Sequence, residues 1–308
     1  MAHARFDFDA YTTDNGNSGF GHGHPRGLDL NVHVPDTTDR VVGVDLTHII
    51  HTNDVDAARG GNGGGGHGGG GSGGGGGTSS FTPYTSGSAD GSGFNITIQF
   101  NGTWTQELHD VFVDAANQLT SIIAGDVPNV TVRNHGTTTQ VDDIVISAEL
   151  GQIDGLYGVL GQAGPTSVRT GSYLPATATM QFDIVDVNDM GLTVFSEVVL
   201  HEMSHSLGFG SIWGYLGLVT NGQYTGANAV DAYHDLGGTG TIAVEQDGGS
   251  GTAGSHWDEE TFGNELMTGY INDGMNYFSS MSASSFADLG YHLSANYLAY
   301  TDSGYALA

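Results

Sequence analysis

The sequence predicts an α+β fold with a loop-rich C-terminal half. Three observations predict it. A strand-like alternation near residue 94 runs directly into a helical period, a second helical period ends at Gly208, and short segments punctuated by Gly fill the remainder. Phe94-Asn-Ile-Thr-Ile-Gln-Phe100 alternates apolar and polar residues, as a strand with one buried face does. Asn101-Gly102 ends it. Thr105 is placed to cap a helix in which Leu108, Val111, Phe112, Ala115, Leu119, Ile122 and Ile123 recur at helical spacing until Gly125. Asp143 to Ala148 and Met180 to Val185 read as the next strands. A second helix is predicted from about Leu192 to Leu207, with Phe195, Val198, Val199 and Met203 as its buried stripe and Gly208 as its stop. A late short helix runs from Ser282 to Leu289 and ends in Gly290.

Composition narrows the function classes. The chain has 308 residues, six basic (all Arg) and 34 acidic, for a formal net charge of −28. That charge repels nucleic acid and anionic membranes. With no Cys, a disulfide framework, a thiolate nucleophile and Cys-ligated zinc are all excluded. No run approaches the length of a membrane span. The first ten residues lack the apolar core of a secretory signal peptide. Between Gly60 and Gly77, 15 of 18 residues are Gly, which predicts a flexible coil. The expected organisation is therefore an arm or pro-segment over 1–59, a Gly/Ser-rich linker over 60–93 and a globular unit over 94–308. His22, His24 and His67 lie in Gly-rich context and read as solvated loop residues rather than ligands.

The second helix carries His201-Glu202-Met203-Ser204-His205. Residues four apart share a helix face, so both imidazoles can reach one ion. Glu202 follows the first of them and can approach a metal-activated water without binding the metal, as a general base must. A plain amphipathic helix with hydrogen-bonded histidines is the competing reading. Zinc chemistry needs a third protein ligand. The position six residues after His205 is Ser211, so the third ligand comes from further on, with His234, His256, His292, Glu245 and Glu265 as candidates.

His201-Glu-Met-Ser-His-Ser-Leu-Gly208 with Phe209-Gly-Ser-Ile-Trp213 resembles the leishmanolysin-type metallopeptidases, a branch of the metzincins. So do Ser255-His256-Trp257, Phe262 to Tyr270 and Ser279 to Tyr291, together with Leu160 to Pro165, Arg169, Leu174-Pro175 and Met180 to Asp183. The resemblance spans roughly residues 94 to 293. It implies a metzincin-like zinc protease domain with one catalytic Zn2+, ligated by His201, His205 and His256, the last 51 residues beyond His205. His234 is the rival third ligand. Met281 would be the Met-turn residue, forming an apolar floor beneath the ion without ligating it. Two departures stand out. The eukaryotic relatives' disulfides and pro-segment Cys are impossible here, and Ala283 occupies the place of a Tyr that some metzincins use as a fifth ligand.

The implied activity is an endopeptidase acting on protein or peptide substrates, with Glu202 as general base. Met180 to Val185 is the candidate edge strand for pairing with substrate. A non-catalytic adhesion module with the same fold is the alternative, tethered by the Gly-rich arm. Asp142 and Asp143, and Asp183, Asp186 and Asp189, offer oxygen donors to Ca2+, although turns and solvated edges are the plainer reading. Glu259, Glu260 and Glu265 are open to supporting or surface roles. An acidic, Cys-free chain suits an extracellular setting reached without a signal peptide.

Overall fold

The computed structural model describes residues 41–43, 48–52, 80–134, 136–249 and 251–307. His22, His24, His67 and the Gly tract lie outside them. In chain order the elements are β1 (Val41–Gly43), β2 (His48–Thr52), β3 (Tyr84–Thr85), β4 (Ile96–Asn101), α1 (Gln106–Ile122), β5 (Val130–Asn134), β6 (Thr137–Val141), β7 (Ile144–Gly151), β8 (Val159–Arg169), β9 (Pro175–Asp183) and α2 (Ile184–Ser206). The second half holds α3 (Trp213–Leu216), β10 (Val219–Thr220), β11 (Gln223–Tyr224), α4 (Ala227–Asp235), β12 (Ile242–Ala243), α5 (Glu259–Phe262), β13 (Tyr270–Ile271), α6 (Ser280–Leu289) and a 3-10 turn at Tyr297–Tyr300. This is the predicted α+β order with a loop-rich second half.

One eight-stranded sheet dominates, in the order β13-β2-β8-β9-β7-β4-β3, with β1 also paired to β8. Strands β4, β7 and β9 are mutually parallel, while β8 runs antiparallel to β9. Helices α1 and α2 pack on each other, and α2 lies against β8 and β9. Phe112 of α1 meets Phe182 of β9 and Phe195 of α2 edge-on, with ring centroids 5.5 and 6.0 Å away. These aromatic pairs add roughly 0.5–1.5 kcal/mol each to the burial itself. The predicted cap of α1 is present, because the Thr105 side chain accepts the Leu108 N–H.

The division of the chain at residues 59 and 93 is one of composition. In the fold, β1, β2 and β3 hydrogen-bond into the same sheet as the globular unit.

Two local readings change. Strand β8 went unrecognised because Gly161, Gly164 and Pro165 look like breakers. It is buried on both faces for most of its length, so it carries no alternation. The strand expected over Met180 to Val185 ends at Asp183, whose carboxylate accepts the Val185 N–H and starts α2. Strand β9 also lies between β7 and β8, so Met180 to Val185 is not the edge on which a substrate pairs.

Arg169 staples the end of β8. Its buried guanidinium donates to the carbonyls of Pro128 (3.1 Å), Pro175 (2.6 Å), Asp142 (3.0 Å) and Asp143 (2.7 Å). Nearby, the Asp143 carboxylate accepts the N–H groups of Asn95 and Val127, both at 2.7 Å. Burial nevertheless pushes its pKa up from 3.8 to about 6. The folded state therefore holds this proton more tightly than the unfolded chain. Its contribution to stability is full below about pH 3.8 and is lost as pH rises through about 6. Urea midpoints of Asp143→Asn should accordingly fall less than the parent's across that window. An unchanged slope would refute the assignment.

Candidate metal centre

The helical run of α2 breaks at Gly191 (φ 75°, ψ 164°), so the segment bearing the site restarts at Leu192, where the periodicity places it. Phe195, Val198, Val199 and Met203 are buried as the predicted stripe. At its end Gly208 turns the chain with φ 107°, and the Phe209 carbonyl comes back toward His205. Gly210 (φ 68°) lies against Ser255, and a Cβ here would fall on the Ser255 carbonyl oxygen. That close approach brings the following residue, His256, onto α2. Gly210→Ala should cost roughly 3 kcal/mol of stability and lower zinc content, as read by urea unfolding and metal analysis. Unaltered values for both would refute this role.

Three buried imidazoles converge. His201, His205 and His256 bring their Nε2 atoms to 2.9, 3.2 and 3.0 Å from one another. Each Nδ1 faces a backbone carbonyl: Leu266 at 2.7 Å for His201, Phe209 at 2.9 Å for His205 and Thr252 at 3.0 Å for His256. A carbonyl only accepts, so each Nδ1 carries the proton, and in the neutral ring that leaves a lone pair on each Nε2. Three lone pairs aimed at one point repel unless a cation stands among them. Their spacing is close to the ~3.3 Å edge of a tetrahedron of nitrogens about 2.0–2.1 Å from zinc. Burial also lowers the His256 pKa to about 4, which keeps that ring neutral. The donor set fits zinc.

The other candidates for third ligand lie elsewhere. His234 is bonded to the Gly240 carbonyl at 2.8 Å, and His292 is exposed beside Gly125. Glu245 accepts the N–H groups of Asp247 and Glu259 and so shapes the loop before His256.

Glu265 is a support residue. Fully buried, it accepts from Ser279 Oγ (2.6 Å), Ser282 Oγ (2.5 Å) and the Met267 N–H (2.5 Å). Burial pushes its pKa up to about 6. It thereby ties the start of α6 to the loop whose Leu266 carbonyl orients His201. Met281, also fully buried, lies in the first turn of α6. Trp257, next to His256, donates to Ser282 Oγ at 2.8 Å and packs among Phe209, Trp213 and Tyr224. The supporting carbonyls gave no sequence signal, because backbone acceptors carry no residue identity.

Glu202, which follows His201 on α2, is fully buried. Gly161 of β8 lies so close that an added Cβ would sit 3.1 Å from both its Cγ and Oε1. The absence of a side chain at 161 lets the strand pass directly alongside this carboxylate.

The acidic segments group as Asp126, Asp142 and Asp143, and as Asp154, Asp183 and Asp186, without Asp189. Backbone donors account for much of this. The Asp183 carboxylate accepts the N–H groups of Ile153, Asp154, Gly155 and Val185, and that of Asp143 accepts two more. The expectation of calcium gains no support from these turns.

Residues 156–301 match the family model of the M8 peptidases, described as leishmanolysin. A leishmanolysin homolog from Crithidia fasciculata is 31% identical over 156 residues, covering 46% of this chain. The chain spans 23% of that relative's length. Among the described residues, no helix is long and apolar enough to cross a membrane.

Proposed function

We propose that this chain, leishmanolysin-like over residues 156–301, is a zinc-dependent endopeptidase that hydrolyses peptide bonds in proteins and works outside the cell. The observation that carries the reading is the convergence of three buried Nε2 atoms, two of them from the helix that also carries the buried Glu202. His201, His205 and His256 would hold the ion, on a metzincin-like α+β frame with Met281 as the Met-turn residue. Bound zinc supplies polarisation of the scissile carbonyl and acidification of a water molecule. Glu202 takes the proton from the attacking water and delivers it to the departing amide nitrogen. The carbonyls of Leu266, Phe209 and Thr252 fix the imidazole tautomers, so no ligand must reorient during turnover. With Ala at 283, no tyrosine from that position assists.

The test is casein hydrolysis by the zinc-loaded protein. Dialysis against a chelator should abolish it, and stoichiometric zinc should restore it. A protein that holds one zinc and cleaves nothing would instead be the non-catalytic adhesion module.

A further inference from the structure

Strand β2 runs between β8 and β13, beside the glycine that lies against Glu202. It pairs antiparallel with β8 through His48↔Ala163, Ile49↔Gln162, Ile50↔Gly161 and His51↔Val159. On its other side it pairs parallel with β13, through Tyr270↔His51 and Ile271↔Thr52. Strand β13 follows closely on the segment holding His256, Glu265 and Leu266. The residue of β8 opposite Ile50 is Gly161, the one that lies against Glu202. The pairing register shifts between Ile50 and His51, skipping Leu160, so a bulge bends the ladder beside the carboxylate. Without β2, the β8 edge and β13 would each present unpaired backbone groups to any extended chain between them.

From this placement we infer that residues 48–52 are a built-in pseudosubstrate strand, seated in a peptide channel between β8 and β13 and blocking access to Glu202. The inference rests on the endopeptidase reading for its consequence, but its geometry is independent of catalysis. Backbone pairing holds the strand on both sides, so occupancy does not depend on a Cys or on any single side chain. Attachment to the same chain supplies the affinity. A tethered segment has an effective concentration on the order of 1 mM, so a strand that binds with an intrinsic Kd of about 0.1 mM already suppresses access roughly tenfold.

The test compares the full chain with its Ile50→Pro/His51→Pro variant. Adjacent residues in a strand point their N–H groups to opposite sides, so the pair of prolines removes a donor toward each neighbour. In the zinc-loaded Glu202→Gln background, where nothing need be cut, a fluorescent peptide of residues 44–55 should bind the variant about tenfold more tightly than the parent. Amides of residues 159–163 and 270–271 should exchange faster in the variant. In the Glu202 background, casein hydrolysis should rise about tenfold and the same peptide should inhibit it competitively. Equal peptide binding and equal exchange would overturn the seating of the strand. Faster exchange with unchanged or lower hydrolysis would overturn the blocking role and make β2 a permanent part of the sheet. If neither form cleaves casein while peptide binding still differs, the endopeptidase reading fails and the channel stands. A foreign protease site within Gly60–Gly77, cut after folding, gives the same comparison with β2 unaltered.

Discussion

Glu202→Gln is expected to lower casein hydrolysis by roughly 10²–10⁴-fold while leaving zinc content unchanged. Gln has nearly the same shape, so the packing against Gly161 and the fully buried position are preserved. It cannot take a proton from water at any working pH. The loss should therefore fall on kcat, with KM little altered. Retained activity would remove Glu202 from the mechanism. A parallel loss of zinc would show that the carboxylate acts through the metal site's structure.

His256→Ala is expected to weaken zinc binding by at least about 100-fold, since even indirect supports of a ligand are worth 10- to 100-fold. The two remaining nitrogens, 2.9 Å apart on α2, do not close a site alone. The fold should survive, because Trp257 keeps its bond to Ser282 and its aromatic neighbours. Metal analysis and far-UV circular dichroism read the two effects separately. Full zinc content in this variant would transfer the third position to another residue. His234→Ala, by contrast, should leave zinc untouched, because its ring is bonded to the Gly240 carbonyl.

The helix bearing His201 and Glu202 was legible because its stripe, its spacing of four and its terminal glycine are all local. The third histidine of the trio was legible only through resemblance. Nothing within a few residues of His256 distinguishes it from His234 or His292, and the choice depends on where 51 residues of chain return. Glu265 looked like a surface or supporting acid, and its seryl partners on α6 become visible only when two distant segments meet. Strand β8 was hidden by its glycines and proline, although Gly161 is required where the strand passes Glu202.

By itself, then, the sequence determined the α+β class, two principal helices with the Thr105 cap of the first and the Gly208 stop of the second, the pair of histidines with their carboxylate, and the exclusion of any thiol chemistry. These follow from periodicity, turn residues and composition, which act over a turn or a strand. The tertiary structure decided which imidazole completes the trio, which carbonyls fix the tautomers and which strand forms the wall beside Glu202. It also decided that residues 48–52, set apart by composition, pair between β8 and β13. Backbone hydrogen bonding is blind to side-chain identity, so no local pattern announces which strand a segment will join.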